Sequence, residues 1–115
     1  MKRSIARKWA AALESGDYKQ TKGALRKAGR FCCLGVLCNL HAQEHPELAK
    51  QNKKATEYFG QSELPPEEVW YTWADMSSEN PFVRVLGHDL AGLNDEANYD
   101  FKQIAKVIRK HWKEL

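Results

Sequence analysis

The chain has 115 residues, 43% of them hydrophobic and 29% charged, with a formal net charge of +3; this balance predicts one soluble globular domain over 1–115 and excludes a disordered chain. No apolar run approaches the roughly 20 residues of a membrane helix, and MKRSIARKWAAALESG lacks the apolar core and cleavage site of a secretory signal. A cytoplasmic protein with no membrane partner is expected, and no motif asks for a cofactor.

Its three cysteines fall within seven residues, in GRFCCLGVLCNL. Three thiols cannot all pair, and a bridge between the neighbours Cys32 and Cys33 would strain the backbone, so free thiols in a reducing compartment are expected. The charge is segregated. Residues 1–30 carry nine Lys or Arg against two acids, whereas residues 61–100 carry Arg84 against nine acids. Either a basic face awaits an anionic partner or the two regions attract each other within the fold.

In chain order, Ile5, Trp9, Ala12 and Leu13 share one helical face, which predicts an amphipathic helix over 4–14 that stops at Ser15-Gly16. Residues 17–30 have no sustained period and read as a basic loop with one helical turn. Phe31, Leu34, Leu37, Cys38 and His41 recur at three- and four-residue spacing, with Val36 and Leu40 widening the stripe, so 31–41 reads as a buried central helix. Gly35 inside it costs about 1 kcal/mol relative to alanine, which points to close approach by another backbone or a ligand.

Residues 42–56 are polar and broken by Pro46, an exposed connection with some helical character. Residues 57–60 and 82–85 are expected to form a small strand pair. Pro65-Pro66 opens a helix over 65–75 on which Val69, Trp70, Trp73 and Ala74 share a face, and a further segment runs over 86–93. Asp100 followed by Gln103 has the form of a capping box, and Phe101, Ile104, Ala105, Ile108 and Trp112 mark a last helix over 101–114. The expected class is mainly α, with one small two-stranded β element. Trp9, Leu34, Leu37, Trp73, Leu90, Ile104 and Ile108 should meet in the core.

Three constellations carry chemistry. Cys32 and Cys33 stand at a helix start, where the dipole favours thiolate; with His88 as base and Asn94 or Asp95 as orienter they follow the order of a thiol hydrolase or transferase. The bland alternative is that Cys32, Cys33 and Cys38 are small apolar fillers. Cys38, His41 and His45, spaced three and four apart, resemble part of a zinc site that lacks a fourth ligand. Tyr18, Lys22, Arg26 and Arg30 lie in a glycine-containing basic run suited to phosphates, to which Trp70 and Trp73 would add a stacking surface.

WAAALESGDYKQTKGAL at 9–25, FCCLGVLC at 31–38, and LND followed by FKQIAKVI at 93–108 resemble a family of small proteins found in phages and in bacterial genomes with prophages or plasmids. The double-cysteine block carries most of the specificity. This chain departs from the family pattern at Asn39, where aspartate is common, and after Asp95, where glycine is frequent. The resemblance implies a counter-defence setting, in which an accessory protein sequesters a nucleotide-like anion or blocks a host protein. Binding of an anionic small molecule or host protein is therefore the first expectation. The thiol enzyme is the second, and nucleic-acid binding through the basic N-terminal segment is the third.

Overall fold

The structure is a computed structural model and describes residues 1–52, 54 and 57–115. Helix α1 (Arg3–Glu14) buries Ile5, Ala6, Trp9, Ala10 and Leu13; of the face its periodicity marks, Ala12 alone is only half-buried. It ends where the Ser15 hydroxyl donates to the Ala12 carbonyl at 2.6 Å and Gly16 takes φ +80°.

The basic segment that follows forms no helical turn; it folds into an antiparallel hairpin, β1 (Arg26–Lys27) and β2 (Arg30–Phe31). The two turn residues, Ala28 and Gly29, have φ +51° and +75°, the left-handed geometry that matches strand twist in a two-residue hairpin. Residues 19–21 run along the other edge of β2: Phe31 N–H donates to the Lys19 carbonyl and Thr21 N–H to the Phe31 carbonyl, both at 2.8 Å.

Helix α2 (Cys33–Glu44) starts two residues later and ends three later than its pattern predicts. Cys32 is its N-cap, with Sγ accepting from the Gly35 N–H at 3.4 Å, a weak sulfur version of the usual hydroxyl cap. Gly35 does mark a close approach, and the neighbour is backbone: a Cβ there would lie 1.7 Å from the Leu25 carbonyl oxygen. The first turn of α2 is further held by Trp9, fully buried, whose indole donates to the Cys33 carbonyl at 2.8 Å.

The helical character of the connection after α2 resides in the short α3 (Pro46–Ala49); residues 53, 55 and 56 of that connection lie outside the described residues. The expected strand at 57–60 is instead a tight turn, in which Tyr58 and Gln61 exchange both backbone hydrogen bonds around Phe59 at φ +52° and Gly60 at φ +80°. Residues 82–83 therefore pair elsewhere. Strand β3 (Phe82–Val83) joins β4 (His88–Asp89) across a 3-10 turn at Arg84–Leu86, so there are two small hairpins rather than one long-range pair.

The expected helix over 65–75 is a π-helical stretch, Glu68–Trp73. Ala74 N–H reaches back five residues to the Val69 carbonyl at 2.9 Å, and this wider winding buries Val69 and Ala74. Trp73 packs against the core from its edge and stays half-buried, with its indole donating to Glu44 Oε2 at 3.1 Å. The other six expected core residues are fully buried.

Helix α4 (Leu90–Asp95), shorter and later than the segment 86–93, is capped by Asp89, whose Oδ1 accepts from the Gly92 N–H at 2.7 Å. Helix α5 (Phe101–His111) opens with the expected capping box, Asp100 with Gln103 in reciprocal bonds of 2.8 and 2.9 Å, and closes in a 3-10 turn at Trp112–Glu114. Its packing against α1 is the most extensive helix pairing in the fold. Among the described residues no helix is long and apolar enough to cross a membrane.

Candidate anion-binding cleft

The thiols are placed for packing. Cys33 and Cys38 are fully buried and Cys32 nearly so. Burial pushes the Cys32 thiol from an ordinary 9.0 up to about 11, outweighing the hydrogen bond from Gly35 N–H, and the negative charge of Asp95 acts in the same direction. Burial raises Cys33 and Cys38 well above 9.0 as well. Here desolvation exceeds the helix-start effect that would favour thiolate. Cys33 Sγ points its proton at the Leu90 carbonyl, 3.5 Å away.

Of the residues grouped with these thiols, Asn94 does arrive, at the backbone rather than at sulfur. Its Oδ1 accepts from Cys33 N–H at 3.2 Å and from Gln20 Nε2 at 2.8 Å, while its Nδ2 donates to the Thr21 carbonyl and to Asp95 Oδ1, each at 2.8 Å. His88 sits half-buried on β4 beside Gly92, and among the described residues no hydrogen bond joins it to either thiol.

A direct consequence is measurable. Folded protein at neutral pH should leave a thiol-titrating disulfide reagent unreacted, and all three cysteines should react once denaturant is added. Because the fold favours the protonated thiols, their contribution to stability is complete below about pH 9 and declines as pH rises toward 11. Unfolding midpoints measured at pH 8 and pH 10.5 should therefore fall; rapid neutral-pH labelling without unfolding would show that a thiol is exposed and activated.

Cys38, His41 and His45 do not assemble a metal centre. The two imidazoles stack at 4.4 Å with planes 23° apart, so their in-plane lone pairs run side by side and do not converge. His45 Nδ1 lies 3.0 Å from the His41 carbonyl oxygen. Burial, with the charge of His45 next, holds His41 below its ordinary 6.5. Among the described residues no three His, Cys, Asp or Glu side chains group as metal ligands.

In the basic run 18–30 the β1–β2 hairpin sets Lys27 opposite Arg30, and several other members find partners within the fold. Tyr18 packs edge-on to Phe31 at 5.1 Å and accepts from Asn39 Nδ2 at 2.7 Å. Lys22 donates to Asn98, Arg26 lies over the Tyr58 ring at 4.7 Å, and Arg30 is exposed beside the hairpin turn. Trp70 packs on Tyr71, and Trp73 on His41 and His45. The tryptophans thus find partners outside the basic run.

A different basic surface emerges from tertiary structure. Helices α1 and α5 bury their apolar faces in the common core, which turns nine exposed cations outward: Lys2, Arg3, Arg7, Lys8, Lys102, Lys106, Arg109, Lys110 and Lys113. Lys8 pairs with Glu44 of α2, and Arg109 pairs with Glu14. The other seven have no ion pair among the described residues.

Between the two helices lies a cleft of about 170 Å³ lined by Arg3, Ala6, Arg7, Arg109 and Trp112. Arg109 is held there side-on, its Nε and Nη2 donating to the two Glu14 oxygens at 2.8 and 2.9 Å. The positive end of α1 adds to the field, because its first turn contains no acid and its N-cap, Lys2, makes no side-chain capping bond. None of Arg3, Arg7, Arg109 or Trp112 belongs to the basic loop that composition singles out. The available signal was the excess of cations at both ends of the chain.

No curated protein and no solved structure matches this chain. The model of one family, described as a domain of unknown function (DUF8296), covers residues 1–112, and the chain belongs to that family.

Proposed function

We propose that this chain is a non-catalytic binding protein that holds a nucleotide-like anionic small molecule on the face made by α1 and α5. The observation that carries this reading is the cleft where Arg3 and Arg7 of α1 meet Arg109 of α5, between two helices whose segments expose seven cations without an ion pair among the described residues. Such a surface raises the local concentration of anions and steers them inward. The protonated, buried thiols supply no competing nucleophile. The resemblance to phage and prophage proteins supports a setting for this role, sequestration of a nucleotide signal used in host defence.

Thermal unfolding against a panel of mono-, di- and cyclic nucleotides tests the reading. A ligand at 100 times its dissociation constant adds about 2.7 kcal/mol, which for a chain of this size should raise the midpoint by roughly 10 °C. A panel that shifts nothing at low salt would sink the small-molecule reading. Retention of duplex DNA with a steep loss on added salt would replace it with nucleic-acid binding.

A further inference from the structure

We propose that the Arg3–Arg7–Arg109 cleft is a subsite for the phosphate of a phosphomonoester, with the rest of the ligand lying outward along Trp112; this inference rests on the anion-binding reading above. Arg3 and Arg7 stand one helical turn apart on α1, where like charges destabilise a helix unless something neutralises them. Among the described residues no acid pairs with either: the acid of α1, Glu14, is engaged with Arg109. A bound oxyanion would relieve both this repulsion and the unopposed positive end of the helix.

Guanidinium is the appropriate group for a phosphoryl target, since its planar fork donates two parallel hydrogen bonds where an ammonium offers a point charge. Arg109 is pre-oriented for such a role. Glu14 occupies its Nε and Nη2 edge and leaves the Nη1 donors without a partner among the described residues, so Glu14 acts as a positioning residue. The size of the cleft narrows the ligand further. At about 170 Å³ it is smaller than the ~300 Å³ at which pockets begin to enclose drug-sized molecules. That scale suits a phosphoryl group with the remainder of its ligand outside. Trp112, half-buried at the cleft margin with Lys113 5.8 Å from its ring centre, offers apolar surface to a base or sugar outside.

The test compares binding of adenosine monophosphate, adenosine, inorganic phosphate and a single-stranded oligonucleotide without terminal phosphate, by calorimetry at fixed salt. The proteins are wild type, Arg3→Gln/Arg7→Gln and Lys102→Gln/Lys106→Gln. The second double variant removes the same charge from α5 outside the cleft lining, and all four positions are exposed, so melting temperatures should stay near wild type and confirm folding.

The expected result is binding of the monophosphate, weaker binding of phosphate and none of adenosine. Affinity for the monophosphate should fall about tenfold or more in Arg3→Gln/Arg7→Gln, and less than about threefold in the lysine pair. Arg3→Lys/Arg7→Lys should recover only part of the loss, because charge returns without the fork. Equal losses in the two glutamine pairs would overturn the phosphate subsite while leaving a general anion-binding face. Tight binding of the oligonucleotide with none of the monophosphate would overturn it in favour of a backbone-phosphate surface. Failure of every anion to bind wild type would overturn both this inference and the broader reading.

Discussion

Gly35→Ala is expected to destabilise the fold by about 4 kcal/mol or more, although alanine is the better helix former by about 1 kcal/mol. The added Cβ would sit 1.7 Å from the Leu25 carbonyl oxygen and 2.6 Å from its carbon. These are backbone atoms and cannot rotate aside. Relief requires moving the segment that leads into β1, where Leu25 is fully buried, donates from N–H to the Ser62 carbonyl at 2.8 Å and accepts from Cys32 N–H at 3.3 Å. Overpacking on this scale exceeds the propensity gain several-fold. Thermal unfolding should show a fall of roughly 15 °C; an unchanged or higher midpoint would mean that β1 does not lie against α2 at this point.

Asn94→Ala is the second large effect, about 3 to 5 kcal/mol in denaturant unfolding. Asn94 is fully buried and makes four hydrogen bonds, three of which tie α4 to the 19–21 loop and to the first turn of α2. Its removal strands the Cys33 N–H and the Thr21 carbonyl. Each buried polar group left without a partner costs about 1–3 kcal/mol. Asn94→Asp should not rescue: the acceptor toward Cys33 survives, but the Nδ2 donor becomes a second acceptor facing the Thr21 carbonyl and the Asp95 carboxylate. Hydrogen exchange adds a local readout, because the Cys33 amide should lose protection before the amides of α5. Slow exchange at Cys33 in the alanine variant would show that another acceptor holds it.

These two residues show how legibility divides. Gly35 announces a close approach through its low helix propensity in an apolar stripe, so the constraint is local and readable. Its partner, the Leu25 carbonyl, is not. Asn94 drew notice as a companion of Cys33, and it is one, yet its chemistry is structural: residue order says nothing about whether an amide meets a sulfur or a backbone N–H. The hairpins escaped for another reason. A two-residue turn of this kind is signalled by Asn-Gly or Asp-Gly, whereas Ala28-Gly29 and Phe59-Gly60 place an alanine and a phenylalanine at positive φ. That costs on the order of 1 kcal/mol each and persists because the surrounding structure imposes it. Trp73 lies at the edge of the core rather than inside it, in a stretch wound as a π-helix to which a 3.6-residue period does not apply.

By itself the sequence determined what depends on near neighbours: helices α1, α2 and α5, their buried faces, the Asp100–Gln103 cap, the stop at Ser15-Gly16, and an excess of cations at both ends. Periodicity, capping and turn residues act over a few positions, so one strand of text contains them. Only the tertiary structure decided that the cysteines are buried and held protonated, that Arg26 and Lys22 of the basic loop meet Tyr58 and Asn98, and that Arg3, Arg7 and Arg109 line one cleft. Burial and charge convergence are sums over atoms from distant parts of the chain. Arg7 and Arg109 become neighbours because α1 and α5 must bury their apolar faces in a common core, and that packing leaves their cations on the surface.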